Sequence, residues 1–139
     1  MAHMHKRPTR VWVLADDRTG PRLLTEAELE GIFDKYEDTG FEPKLAWLYE
    51  TIGCQCVDLR ELPGLGHLWF DDEGRLAGRP QNDVASAVYE YCYRSGEGIL
   101  GMAVLICYEN VPEGADQDVL MTAYESIKKA RAAQEKVAN

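Results

Sequence analysis

Histidine is scarce in this sequence, and its scarcity argues against the classes of catalytic site that depend on several histidines. The 139 residues include three histidines, and two of them, His3 and His5, lie among the first five residues. His67 alone lies in the body of the chain, beside Trp69 at the start of a predicted strand. One histidine is poor support for a histidine-based triad or for a zinc site with several histidines. We therefore expect a structural or surface role for His67, and we predict no catalytic residues and no enzymatic activity.

Long apolar runs are missing as well. The longest, Ile99 to Tyr108, is interrupted by Gly101 and is shorter than the roughly 18 residues that a membrane helix needs. The basic beginning of the chain, MAHMHKRPTR, has no apolar segment after it, so we expect no signal peptide. Residues 1–9 are predicted to be disordered and partly a remnant of cloning. These features predict a cytoplasmic protein that does not contact a membrane.

The four cysteines lack the spacing of a familiar metal site. Cys54 and Cys56 form a C-x-C pair in a predicted strand, whereas Cys92 and Cys107 stand alone in a predicted helix and a predicted buried strand. Structural zinc sites usually combine two C-x2–4-C pairs. We predict no metal and no cofactor, and we interpret the cysteines as reduced core residues. A joint metal site would require all four to converge, and a disulfide is the remaining alternative.

Acidic residues dominate the middle of the chain. Residues 26–118 contain six basic and twenty acidic residues, a net charge of −14, whereas residues 1–25 carry +3 and residues 119–139 carry +2. Such a body repels nucleic-acid phosphates and attracts basic protein surfaces. It predicts a host protein as partner and no direct binding of nucleic acid. The alternative is that the acids only keep the protein soluble.

The pattern of apolar residues predicts one α+β domain over residues 10–128, followed by a solvated helical tail at 129–139. We expect a mainly antiparallel sheet of four to five strands, packed by three to four helices. The predicted strands are RVWVLAD, CQCVDLREL, HLWFD, RLAG and ILGMAVLICYE. The last of them is apolar at nearly every position, which is typical of a central strand covered on both faces.

Helix signals separate these strands. Thr25 and Glu28 form a capping box at the start of a helix that should extend to Asp38 and stop at Gly40. The other predicted helices are Pro43 to Ile52, Val84 to Tyr93, and one that begins near Asp118. The third should bury Val84, Val88, Tyr91 and Cys92, and the fourth should bury Leu120, Ala123, Tyr124 and Ile127.

The stretch FDDEGRLAGRPQND, Phe70 to Asp83, concentrates the candidate ligand-binding residues. They are Asp71, Asp72, Glu73, Arg75, Arg79 and Asn82. Arg79 precedes a predicted helix start, where free N–H groups attract an anion such as a phosphate, although Asp83 opposes one. An EF-hand does not fit, because the stretch lacks regularly spaced oxygen ligands and a closing glutamate. The alternative is a hairpin turn at Gly74 followed by a helix cap at Asn82.

Several segments together resemble a known family. RVWVLAD, LYETIGCQCVDL, FDDEGRLAGRPQND and ILGMAVLICYEN occur in the order found in an uncharacterised domain-of-unknown-function family of small proteins from bacteria, phages and plasmids. The matching positions are Ile52-Gly53, Asp72-Glu73-Gly74, Gly78 to Asn82, and Gly101. The helices at 25–38 and 84–93 depart from the family pattern and look like insertions. The resemblance implies no reaction, but it implies a mobile-element setting.

These observations predict a non-enzymatic, acidic accessory protein of a phage or mobile element that binds a host protein. A DNA mimic that blocks a DNA-binding enzyme is a special case. The alternative is a small-ligand or nucleotide-binding protein with its site at the Arg79–Asn82 helix start. We also expect a homodimer, because three tryptophans, seven tyrosines and three phenylalanines are many for a monomer of this size to bury.

Overall fold

A computed structural model describes residues 7–17, 19–33 and 43–138, which form a five-stranded antiparallel sheet with helices on both faces. The strands are β1 Arg10–Leu14, β2 Arg22–Leu23, β3 Val57–Leu62, β4 Gly66–Asp71 and β5 Ala103–Cys107. The helices are α1 Glu26–Phe33, α2 Pro43–Ile52, α3 Asp83–Tyr93 and α4 Ala115–Ala138. The strand order is β2-β1-β5-β4-β3, with every pairing antiparallel. The predicted α+β class is confirmed.

The predicted central strand, β5, lies in the middle of the sheet. All five of its residues are buried, and it pairs with β1 on one side and β4 on the other. Leu105 lies opposite Trp12 of β1, and Val104 lies opposite Trp69 of β4. A strand buried on both faces can be apolar at every position, which explains why β5 shows no polar alternation.

The two faces of the sheet form two separate apolar clusters. On one face, Val104 and Ile106 pack with Leu29 of α1 and with Leu48 and Ile52 of α2. The opposite face packs against α3 and α4; its cluster includes Trp12, Leu14, Leu68, Leu105, Val88 and Leu120. Because successive side chains of a strand point to opposite faces, each central strand contributes to both clusters.

The helix signals that depend on neighbouring residues behave as predicted. The Thr25 hydroxyl accepts a hydrogen bond from the Glu28 N–H at 3.2 Å, and the Glu28 carboxylate accepts one from the Thr25 N–H at 2.9 Å. The capping box is thus confirmed. Helix α2 has the predicted bounds, and Gly53 ends it with a positive φ of 76°. The predicted end of α1, from residue 34 to Gly40, lies outside the described residues.

Four expectations about the elements are wrong. RLAG is not a strand, because residues 72–78 form consecutive turns. Cys54 and Cys56 precede β3 instead of lying within it, and α4 begins at Ala115 instead of near Asp118. Tyr91 is 69% exposed, because the buried stripe of α3 consists of Val84, Ala85, Val88 and Tyr89. The two-residue edge strand β2 was not predicted.

The predicted inner residues of α4 pack against the apolar cluster on the sheet face that α3 and α4 cover. From residue 129 to residue 137, only Arg131 is not exposed. Residues 1–6 lie outside the description, whereas Pro8 is buried and the Thr9 N–H donates to the Cys107 carbonyl at 2.8 Å. In the described part of the chain, no helix has both the length and the apolar composition needed to cross a membrane.

Candidate functional site

The stretch from Phe70 to Asp83 begins with a turn that is fixed by Asp71. Asp71 is the last residue of β4 and is 7% exposed. Its carboxylate accepts a hydrogen bond from the Glu73 N–H at 2.9 Å, and its carbonyl accepts one from the Gly74 N–H at 3.3 Å. An aspartate that binds the backbone two residues later starts a turn. This is why the chain leaves β4 here instead of continuing into another strand.

Arg79 closes the same turn from its other end. Its Nε lies 2.5 Å from the Asp71 carboxylate, and its terminal nitrogen donates to the Gly53 carbonyl at the end of α2. The Arg79 side chain also crosses Gly101, where an added Cβ would lie 2.6 Å from the Arg79 Cδ. Gly101 has a φ of 82° as well, so glycine is needed there for both space and conformation. The guanidinium thus bonds to Asp71 and Gly53, and the aliphatic part of the same side chain packs on Gly101.

Asn82 is fully buried, and its side chain bonds to three parts of the fold. Its Oδ1 accepts from the Ala85 N–H at 3.0 Å, which makes it the N-cap of α3. Its Nδ2 donates to the Leu14 carbonyl at 2.7 Å and to the Gly101 carbonyl at 2.9 Å. Both amide hydrogens are therefore used within the protein, and the predicted helix cap is confirmed.

The six candidate ligand-binding residues divide into an inner and an outer set. Asp71, Arg79 and Asn82 are bonded within the fold, as described above. Asp72, Glu73 and Arg75 are exposed on the outside of the turn. The structure therefore does not bring all six side chains into one site. Whether any of them binds a ligand stays a prediction.

The outer side of the turn also carries an exposed leucine. Leu76 is 85% exposed at the tip of residues 72–78, a segment we call the Leu76 turn. The Ala77 N–H donates to the Glu73 carbonyl and the Arg79 N–H to the Gly74 carbonyl, both at 3.0 Å. Sequence reasoning missed Leu76 because it interpreted RLAG as a strand. The signal that could have identified it is the Asp71-Asp72-Glu73-Gly74 turn directly before it.

A groove of about 520 Å³ lies beside the first turns of α3. Its lining includes Asp83, Glu90 and Glu97, together with Arg131 of α4. Arg131 lies 2.6 Å from Asp83, and the Glu90 carboxylate accepts from the Gly96 N–H at 2.8 Å. The groove contains neither Arg79 nor Asn82. Three carboxylates against one guanidinium make it more suitable for a cation than for a phosphate.

The cysteines lie on opposite faces of the sheet. Cys54 packs against the α1–α2 cluster, whereas Cys92 and Cys107 belong to the α3–α4 side, and all four thiols are free. Cys56 is exposed, so the prediction that the cysteines are core residues is wrong for it, because it lies in the loop before β3. Burial raises the pKa of the Cys107 thiol, which keeps it protonated and unreactive. Within residues 7–17, 19–33 and 43–138, no three His, Cys, Asp or Glu side chains form a group that could hold a metal ion.

The His67 ring packs edge-on against Tyr108.

A buried ionic network was not predicted from the sequence. Asp116, in the first turn of α4, is fully buried; its carboxylate accepts from Arg10 Nε at 2.9 and 3.0 Å and from Trp12 Nε1 at 2.6 Å. Burial alone would raise the pKa of Asp116, but the hydrogen bonds from Arg10 and Trp12 outweigh it and hold the pKa below its usual value. The network joins β1 to α4, and all its groups are paired, which indicates a structural role.

Comparisons of the chain with protein-family models, with curated proteins and with solved structures found no match. The geometry itself thus carries the functional argument. It provides a turn whose inner side chains hold the fold together and whose outer side chains face solvent.

Proposed function

We propose that this chain is a non-enzymatic protein-binding protein and that the Leu76 turn is part of its contact surface. The observation that carries the proposal is the 85% exposure of Leu76 on a turn that the Asp71–Arg79 ion pair closes. Single exposed leucines are common on protein surfaces. Here the leucine lies on a turn that is held by backbone hydrogen bonds, so little conformational entropy is lost when a partner covers it.

The surroundings of Leu76 indicate what kind of partner fits. Burying a leucine side chain contributes about 1.5–3 kcal/mol. The exposed Asp72, Glu73 and Arg75 would form a polar rim around that contact. A partner with an apolar pocket and nearby basic groups suits this arrangement and the acidic middle of the chain. A phosphate backbone has no apolar counterpart to Leu76, so we favour a pocket of this kind over the DNA-mimic form of the proposal.

The test compares Leu76→Asp with a matched control, Val137→Asp. Val137 lies near the end of α4 and is 87% exposed, so the two substitutions introduce the same charge at equally exposed positions. Each protein is used to capture partners from a lysate of the native host at low and high salt. A captured protein is then purified and titrated against each variant by calorimetry.

We expect a stoichiometric partner whose binding weakens at high salt. Leu76→Asp should weaken it by about 2 kcal/mol, or about thirtyfold in Kd, whereas Val137→Asp should leave it nearly unchanged. Equal binding by both variants would contradict the role of the Leu76 turn. The absence of any partner at either salt concentration would count against protein binding itself.

The groove beside α3 favours a second candidate, a small-ligand-binding protein. Its excess of carboxylates suits an organic polyamine better than the nucleotide expected at Arg79–Asn82. Spermidine is the probe, and calorimetry is the measurement. The double variant Glu90→Gln/Glu97→Gln should weaken binding about fivefold more than Glu30→Gln/Glu50→Gln, which removes two exposed carboxylates from α1 and α2. Equal weakening by the two variants would mean that only net charge matters.

A further inference from the structure

Strand β3 is the last strand of the sheet, and one of its edges has no strand partner in the described part of the chain. The Cys56 carbonyl accepts from the Asp72 N–H at 3.2 Å, so even-numbered residues from 56 onward direct their backbone groups toward β4. Val57, Leu59 and Glu61 therefore direct their N–H and C=O groups outward. Such an edge is a template for pairing with another strand.

Side chains of this same chain occupy several of these outward groups. The Leu59 N–H donates to the Asp58 carboxylate at 2.8 Å, and the Arg60 guanidinium donates to the Leu59 carbonyl at 3.3 Å. Asp58 and Arg60 also pair with each other at 2.7 Å. Tyr93, from the last turn of α3, donates its hydroxyl to the Glu61 carbonyl. In the single chain, the outward backbone groups of β3 are thus already bonded to the side chains of Asp58, Arg60 and Tyr93.

The sequence of β3 is complementary to itself when two copies run antiparallel. If Leu59 lies opposite Leu59 of a second copy, Asp58 lies opposite Arg60 and Val57 opposite Glu61 in both directions. The Asp58–Arg60 ion pair would then form twice between the copies, and the Leu59 side chains, 38% exposed in the single chain, would meet at the two-fold axis. The register that places Leu59 opposite Arg60 would instead place Asp58 opposite Glu61, two like charges.

Backbone geometry allows the same register. Because residues 57, 59 and 61 all face outward, the pairs 59–59, 57–61 and 61–57 can each exchange two hydrogen bonds, about six in total. We propose that the outer edge of β3 is a docking surface for a second copy of this chain, and that Tyr93 together with the Asp58–Arg60 pair holds it closed in the single chain. This inference is independent of the Leu76 turn.

Sedimentation velocity over a concentration series tests the inference. Tyr93→Phe keeps the aromatic ring but frees the Glu61 carbonyl, so dimerisation should strengthen about fivefold to tenfold relative to the unsubstituted protein. Tyr91→Phe is the control, because Tyr91 is an exposed tyrosine of the same helix, whereas the bond to the Glu61 carbonyl comes from Tyr93. Equal dimerisation of the two variants would overturn the role of Tyr93.

A charge exchange in the Tyr93→Phe background tests the register. With Asp58→Lys, two basic residues would face each other in the dimer, and with Arg60→Asp, two acidic residues would. Each variant alone should be monomeric, whereas an equimolar mixture should dimerise, because Lys and Arg of one copy then face two aspartates of the other. Dimers of either variant alone, or no dimer in the mixture, would refute this register.

A proline substitution tests the backbone contact. In the same background, Leu59→Pro removes the outward N–H at the two-fold axis and leaves the hydrogen bonds between β3 and β4 in place. It should therefore abolish dimerisation, with the fold confirmed by circular dichroism. A folded Leu59→Pro variant that still dimerises would show that the copies do not pair along β3.

Discussion

Asn82→Asp separates two roles that one side chain combines in the wild-type protein. An aspartate at this position keeps the oxygen that caps α3, and a negative charge at a helix N-terminus is favourable. It loses, however, both N–H groups that now bind the Leu14 and Gly101 carbonyls. If capping were the main contribution of Asn82, the substitution would be neutral or stabilising. If the contacts to β1 and to Gly101 matter more, it should destabilise the protein.

The expected loss follows from these two contacts. A buried carbonyl left without its donor costs about 1–3 kcal/mol, and two of them together with a carboxylate that faces both oxygens should cost about 4 kcal/mol. For a domain of this size, that corresponds to a decrease in melting temperature of about 12–16 °C. Urea denaturation followed by circular dichroism gives the free energy, and thermal denaturation provides an independent check.

Asn110→Asp is the matched control, because Asn110 is exposed and the change of charge is the same. It should alter stability by less than about 0.5 kcal/mol. The substituted carboxyl at position 82 should have a raised pKa in the folded state, since burial and the two carbonyls disfavour its charge. The difference in unfolding free energy between Asn82→Asp and wild type should therefore decrease as the pH falls and the group protonates. A loss of unfolding free energy below 1 kcal/mol for Asn82→Asp at pH 7 would refute the reasoning.

Two further predictions concern Asp116. Asp116→Asn should destabilise the protein by about 3 kcal/mol at pH 7, because Arg10 loses its buried partner, and chemical denaturation measures this loss. Because the folded-state pKa of Asp116 is lowered, its stabilising contribution is present above the unfolded value of about 3.9 and is lost as the pH falls through the folded-state pKa. The difference between wild type and Asp116→Asn should thus be constant from pH 7 to about 5 and shrink toward pH 2; a difference that grows on acidification would contradict the assigned shift.

The parts of the fold that were predictable depend on short-range chemistry. The Thr25–Glu28 capping box, the Pro43 start of α2 and the uniformly apolar β5 each signal their structure within a few residues. The errors arise where distant contacts decide. RLAG was predicted as a strand because it follows HLWFD and a DEG turn signal, but Arg79 folds back onto Asp71 and Gly53 and fixes the preceding residues as turns. Tyr91 fits the helical period, yet the position of α3 on the sheet leaves it exposed.

The candidate site shows the same division. Asp71, Arg79 and Asn82 are three of the six candidates that the sequence singled out. In the structure Asp71 fixes a local turn, whereas Arg79 and Asn82 join segments that are distant along the chain. Their types alone could not distinguish a ligand site from such a junction, because charged and amide side chains serve both. Asp116 and Tyr93 were missed for a related reason. Their partners, Arg10 and Glu61, are more than 30 residues away, and no local pattern connects them.

The contacts of Arg79 bear on both functions proposed for this stretch, ligand binding by Arg79 and protein binding by the Leu76 turn. A ligand that took the two donating nitrogens of Arg79 away from Asp71 and Gly53 would loosen the turn that presents Leu76. If Leu76 serves to bind a protein, the same contacts of Arg79 are what make the turn rigid enough to do so. Recognition through Leu76 leaves both contacts of Arg79 in place, whereas a ligand bound through those two nitrogens would break them. We therefore propose recognition through the outside of the turn, which requires no change in the contacts of Arg79.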